Sequence, residues 1–158
     1  MRRLLLFFFV LLVACSKREP PLEGDATRTD ESALRADDRR ALERVVGIDV
    51  KASRAMREAD DAARAGDAGA AASILSTQAR PAIDEAIRAA ASVEMKTEWG
   101  RAKRDEVMGI LRDRKAEIPK YEEAVTSGDP EKMLAAIQAQ AAIERRALTT
   151  VAAVHEGR

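Results

Sequence analysis

Apolar residues fall along this chain in two rhythms. Residues 4–14 form one unbroken apolar run, whereas from about residue 41 onward apolar positions recur every three or four residues. The second rhythm is that of a helix with one buried face. Ala41, Val45, Ile48, Ala52, Ala55, Ala59 and Ala62 are spaced 4, 3, 4, 3, 4, 3, a heptad stripe. It predicts a first helix over about 31–65, with Asp30 as its cap and Glu31 placed well for the helix dipole. Gly47 costs about 1 kcal/mol relative to Ala, too little to break so long a helix.

Gly66-Asp67 then punctuates the chain. Glycine suits the left-handed residue that ends a helix, and aspartate suits the cap of the next. A second helix is expected over about 68–97, carrying Ile74, Leu75, Ile83, Ile87, Ala90 and Val93. Pro81 should kink it, because proline lacks a backbone donor and crowds the preceding turn. A third stretch carries Val107, Leu111, Ile118, Tyr121 and Val125, and Pro119 should bend or interrupt it near its end. Gly128-Asp129-Pro130 repeats the punctuation, with proline at the favoured first helical position. A last helix over about 130–155 shows Leu134, Ile137, Ala141, Leu148 and Val151 as its apolar positions.

The two Gly-Asp marks stand 62 residues apart, as an internal duplication would leave them. The expected fold is all-α: two long helical hairpins that stack as an antiparallel four-helix bundle. Only Gly100, after Thr97-Glu98-Trp99, marks the join between hairpins. Without a turn there, residues 82–127 form one long kinked central helix and the bundle is elongated. The compact form is preferred, because an isolated two-helix hairpin buries little surface.

The first rhythm has a different meaning. Arg2 and Arg3 precede eleven apolar residues, Leu4 to Ala14, the layout of an export signal. A spanning helix needs about 20 apolar residues, so a permanent transmembrane anchor is disfavoured. The run ends Leu12-Val13-Ala14-Cys15, which resembles a bacterial lipobox. That resemblance covers only the first sixteen or so residues. It implies a diacylglyceryl group on the Cys15 sulfur, cleavage after Ala14 and acylation of the new amine. Cys15 is the only cysteine, so it has no disulfide partner within the chain. Two or more acyl chains would anchor the protein to a membrane stably. Ser16 stands where aspartate favours inner-membrane retention in enteric lipoproteins, so the periplasmic face of the outer membrane is the expected location. Residues 16–30, with Pro20-Pro21, Gly24 and no periodicity, read as a tether. The expected organisation is therefore a signal peptide over 1–14, a lipidated cysteine and tether over 15–30, and a helical domain over 31–158.

Composition narrows the fold and the partners. Losing 14 of 158 residues leaves 144, enough for one domain with a real core. All three Phe residues leave with the signal, so Trp99 and Tyr121 are the only remaining aromatics. Strands favour aromatic and β-branched residues, whereas Ala, Glu, Arg, Lys and Leu favour helix. Of 27 basic side chains Arg2 and Arg3 fall in the signal, leaving 25 against 27 acidic ones. That balance, with export, argues against nucleic acid as a partner.

Catalytic chemistry is hard to assemble from what remains. His155 is the only histidine and Cys15 is committed to lipid, so no Ser/His/Asp or Cys/His arrangement can be built. Zinc and di-iron bundles need several His, Cys or Glu-x-x-His positions, and no phosphate-binding glycine motif is present. No enzyme, cofactor or metal is expected. The clusters Arg101-Ala102-Lys103-Arg104 and Arg112-Asp113-Arg114-Lys115 could touch anionic lipid or cell-wall polymer, but neighbouring acids favour a salt-bridged surface.

From Gly128-Asp129 to His155 the last helix resembles the final helix of the four-helix b-type cytochromes of the bacterial periplasm. That helix also follows a glycine-containing turn and ends in a haem-ligating histidine. The family's second ligand is a methionine early in the first helix, and Glu31 to Arg40 has none. Met95 stands in for it only from a different helix. The expected function is a membrane-anchored envelope lipoprotein that serves as a structural or interaction module for an envelope protein or cell-wall polymer. The alternative is a carrier of haem or another small ligand, with His155 and Met95 as its residues.

Overall fold

The structure is a computed structural model that describes residues 23–158, with side chains from residue 30. The described residues are all-α, with no strand. Helix α1 runs over Glu23–Arg64. A rod follows, made of α2 (Ala68–Ile74), a π-helical turn (Leu75–Ala79) and α3 (Arg80–Ser92). Helices α4 (Glu98–Ser127) and α5 (Pro130–Glu156) complete the chain.

The start of α1 corrects the expected boundary. Residues 23–30 are helical, so the tether expected over 15–30 does not extend that far, and Asp30 lies inside the helix instead of capping it. Ala26 and the charged residues around it are compatible with helix, and no Gly or Pro follows Gly24 before Gly47. The rest of the expected tether lies outside the described residues.

Both Gly-Asp marks are helix ends. At the first, Gly66 takes φ +83°. The Asp67 amide donates to the Ala62 carbonyl and the Gly66 amide to the Ala63 carbonyl, each over 3.0 Å. This pair of bonds satisfies carbonyls that a helix end leaves without partners. The Asp67 side chain then accepts from the Ala70 amide over 2.8 Å and caps α2. At the second, Gly128 takes φ +64°, and Asp129 accepts from the Glu131 and Lys132 amides over 2.9 and 3.3 Å.

Pro81 is accommodated by the turn before it. Across Leu75–Ala79 the helix widens, and the Arg80 amide donates five residues back, to the Leu75 carbonyl. One extra residue in the turn eases the proline past the backbone that it would otherwise strike. Pro119 does not interrupt its helix as expected: α4 continues through it to Ser127.

The helix expected to reach residue 97 stops at Ser92, because Val93 turns extended at φ −80°, ψ 120°. Residues 93–97 are tied down from α1. The buried Asp38 carboxylate accepts from the Lys96 amide over 2.8 Å, the Thr97 amide over 2.8 Å and the Thr97 hydroxyl over 2.6 Å. The Thr97 side chain in turn accepts from the Gly100 amide over 2.9 Å, capping α4. Desolvation pushes the Asp38 carboxyl up. Those three bonds and the Lys96 charge outweigh it and hold the group below its ordinary value. The break separates α3 from α4, so a single helix over 82–127 is not what the chain forms.

Packing follows the heptad stripe in α1. Ala41, Val45, Ala52, Ala55 and Ala59 are buried, and Ile48 and Ala62 are half-buried. Around Ala52, Ala55 and Ala59 sit Leu75, Ala79 and Ile83 from the rod and Ile118, Tyr121, Ala124 and Val125 from α4. Each fully buried Leu or Ile stabilises the fold by roughly 1.5–3 kcal/mol over leaving it exposed. The small alanines let helix backbones approach closely. Partners across helices show the relative directions. Asp49 meets Arg114 and Asp60 meets Tyr121, so α1 and α4 run the same way. Glu123 meets Lys132 and Asp113 meets Arg146, so α5 runs back along α4.

Helix α5 departs from its expected pattern. It buries Ala136, Ile143, Ala147, Thr150 and Val154. Leu134, Ile137 and Leu148, expected on its apolar face, are 58 %, 41 % and 62 % exposed. Ala141 is exposed with them and Val151 is half-buried. No described helix is long and apolar enough to cross a membrane.

Candidate functional site

Cys15, the one site residue expected from the sequence, lies outside the described residues. The described helices hold a different feature, centred on Arg114. Leu111, Arg114, Ile118 and Tyr121 follow each other at three- and four-residue steps, so they share one face of α4, and all four are buried. Arg114 thus takes a core position, with 2 % of its side chain exposed.

A guanidinium in that position needs partners, since an unpaired buried charge is very costly. Its Nη1 donates to Asp49 over 3.1 Å and also to the Ser53 hydroxyl, both on α1. Its Nη2 donates to Glu144 of α5 over 3.0 Å. One side chain therefore joins three helices. Desolvation raises the Asp49 carboxyl above its ordinary value. The Arg114 charge offsets this in part, and the Glu144 charge adds to it.

Beside Arg114 is a cleft of about 210 Å3 between α1 and α5, floored by α4. Ser53, Met56, Arg57 and Asp60 line it from α1, Arg114 and Tyr121 from α4, and Ile137, Gln140, Ala141 and Glu144 from α5. The Tyr121 hydroxyl donates to Asp60 over 2.8 Å. Desolvation holds that phenol well above its ordinary value, and the Asp60 hydrogen bond and charge add to the shift. Two buried donors in the lining have no partner in the protein, Arg114 Nε and Gln140 Nε2. Chemically, the cleft combines an apolar wall of Met56, Tyr121, Ile137 and Ala141 with charged side chains of both signs, Arg57, Asp60, Arg114 and Glu144.

A second groove of about 500 Å3 lies between α1 and α3, next to the π-helical turn. Lys51, Arg54, Glu58, Glu85 and Arg88 line it, so its surface is charged and of mixed sign. Among the described residues, no three His, Cys, Asp or Glu side chains are grouped to hold a metal ion.

The other residues singled out in the sequence have separate surroundings. Met95 is buried with Ala41, Leu42 and Val154, against Val93 and Trp99. His155 is 60 % exposed, and its Nδ1 lies 3.2 Å from Glu43. Trp99 donates from Nε1 to the Arg158 carbonyl over 2.8 Å, and the Arg35 guanidinium stacks 4.8 Å from its ring centre. The basic clusters are largely paired. Lys103 meets Glu106, Arg104 meets Asp105 and Lys115 meets Asp84.

Sequence reasoning passed over Asp49, Ser53, Gln140 and Glu144, and it placed Arg114 in a surface cluster. A signal was present: Arg114 falls at helical spacing between Leu111 and Ile118, where an apolar residue is expected. No known protein family, characterised protein or solved structure matches the chain.

Proposed function

We propose that this chain is an exported lipoprotein, anchored by lipid on Cys15, whose helices form an antiparallel four-helix bundle that serves as an interaction module in the cell envelope. The lipid anchor is supported by Leu12-Val13-Ala14-Cys15 behind an apolar run and an arginine pair. Ser16 favours the periplasmic face of the outer membrane. The bundle is supported by two Gly-Asp turns, the break at residues 93–97 and the partner pairs that set the helix directions.

One observation carries the interaction role. Leu134, Ala141 and Leu148 repeat every seven residues on an exposed face of α5, with Ile137 between the first two. Large apolar residues at heptad spacing are the pattern with which one helix receives another. The partner is accordingly an envelope protein that presents an amphipathic helix to α5.

Two measurements test this. A fatty-acid analogue fed to expressing cells should label the wild type and not Cys15→Ser, and equal labelling would remove the anchor. Photo-crosslinkers at positions 134 and 148 should reach one partner protein, at a segment with its own apolar heptad. Leu148→Glu should abolish the crosslink from position 134 while leaving helicity unchanged. Crosslinks to a second copy of this chain, or to a segment lacking the heptad, would overturn the proposed partner.

A further inference from the structure

The exposed heptad of α5 has a second wall. Helix α5 packs on α4, with Ile143 and Ala147 against Ile110, and a groove opens between α5 and α1 with the cleft at its middle. We infer that the partner helix lies in this groove, with an aromatic side chain seated in the cleft and a carboxylate one turn away that pairs with Arg57. This rests on the docking face of α5 and specifies what binds there.

Geometry sets the groove under such a helix. Ile137 and Ala141, two members of the exposed apolar face, form the α5 wall of the cleft, and Met56 and Arg57 stand across from them on α1. Val50 is exposed and precedes Arg57 by seven residues, so it lies on the same line of α1. Ala147 and Val151 line a small pocket with Val46 and Asp49, which sets Leu148 level with Val50. A helix laid over Leu134, Ile137, Ala141 and Leu148 therefore meets a further apolar contact in Val50 and has a hole beneath its centre.

Size and chemistry define what fills the hole. A cavity of about 150 Å3 accommodates benzene, so about 210 Å3 holds one ring. Met56 and Tyr121 favour an aromatic occupant over an aliphatic one, through thioether–ring and ring–ring contacts. Aromatic anchors seated centrally in a pocket carry most of the affinity of an interface. Charge defines the neighbour of that anchor. Asp60 already meets Arg64 and the Tyr121 hydroxyl, and Glu144 meets Arg114. Arg57 is exposed at the same cleft and has no acidic partner among the described residues. It is the charge left for a carboxylate of the partner, three or four residues from the anchor on a helix.

Photo-crosslinkers in intact cells read the seating. Position 50 should reach the same partner segment as positions 134 and 148, and that segment should hold an aromatic residue with Asp or Glu three or four residues away. Crosslinks from 134 and 148 without one from 50 would overturn the groove seating and leave the α5 face standing, whereas absence of all three would overturn both. A synthetic peptide of the crosslinked segment, added to the full chain in lipid nanodiscs, then gives affinities by fluorescence anisotropy. Replacing its aromatic residue by Ala should weaken binding at least about tenfold. Arg57→Glu should weaken binding of the unaltered peptide, and exchanging the peptide's acid for Lys should restore it. Arg54→Glu makes the same change on the wall of the other groove and should leave binding unchanged. Both arginines are exposed, so thermal unfolding by circular dichroism should match the wild type. A segment without an aromatic residue, a smaller loss on its replacement, or equal effects of the two arginine variants would overturn the inference.

Discussion

Gly100 packs its Cα directly against the carboxylate of Asp38. A side-chain carbon built at position 100 would overlap that carboxylate, which lies on the far side of the contact between α1 and the start of α4. The glycine is therefore a steric requirement of a polar clamp: Asp38 needs to reach the Lys96 and Thr97 amides, and only a residue without Cβ leaves it room. Gly100→Ala should destabilise the protein by about 1–3 kcal/mol, as overpacking does, despite the better helix propensity of alanine. Urea unfolding measures this directly. A variant as stable as the wild type would mean that the clamp can shift at no cost.

The same clamp makes stability depend on pH, and the sign follows from the direction of the shift. Asp38 is held below its ordinary value of 3.8 when folded. Its contribution is present above the unfolded value and is lost as pH falls through the lower folded value. Acid unfolding curves of the wild type should therefore drop more steeply below about pH 4 than those of Asp38→Asn. Parallel curves would show that the carboxylate is not held by the amides.

Asp49 should behave oppositely. Its carboxyl is raised above 3.8 by desolvation, so the folded state holds that proton more tightly than the unfolded chain. Its effect is most favourable below the unfolded value and fades as pH rises through the folded one. Replacing it by Asn should thus steepen the acid loss of stability, where Asp38→Asn makes it shallower. Two aspartates on one helix with opposite effects on the slope would be a direct readout of their different surroundings.

What the sequence made legible follows from which signals are local. Gly66-Asp67 and Gly128-Asp129 encode their turns within a few residues, and the α1 stripe encodes its buried face by spacing alone. The break at Val93 is not local. No Gly or Pro stands within residues 93–97, and the segment is held by Asp38 from a distant part of the chain. The nearest clue was Thr97 followed by Glu98, a cap and an acidic first turn. In α5, alanines permit either of two faces to turn inward. Leu134 and Leu148 weighed towards the wrong one, because close packing on α4 selects Ala136 and Ala147 instead. The cleft was illegible for a related reason: Arg114 reads as one charge in a charged run, and its partners come from two other helices.

The turn elements give a stability prediction with known scale. Gly66 and Gly128 occupy left-handed backbone, where an alanine adds strain of roughly 1 kcal/mol. Asp67 and Asp129 each satisfy amides at a helix start, a cap worth about 1 kcal/mol. Asp67→Ala and Asp129→Ala should each lower the unfolding midpoint, and the double variant should lose about the sum, because the two turns are far apart in sequence and share no partner. Unaltered midpoints would mean that neither aspartate acts as a cap.

The buried guanidinium makes the strongest demand. Arg114→Met keeps most of the volume and removes the charge, leaving Asp49 with 15 % of its side chain exposed and no cation beside it. Breaking a buried pair on one side costs about 3–5 kcal/mol, because the orphaned charge stays desolvated. Glu144, at 44 % exposed, can turn to water and adds less to that cost. If the penalty resides in Asp49, removing its charge as well should restore stability. Arg114→Met with Asp49→Leu should therefore recover more than half of what Arg114→Met loses, and a double-mutant cycle by urea unfolding should show coupling of at least about 2 kcal/mol. Additive losses would place the cost in packing around the Arg114 stem instead. A loss below about 1 kcal/mol for Arg114→Met alone would mean that the guanidinium is not desolvated.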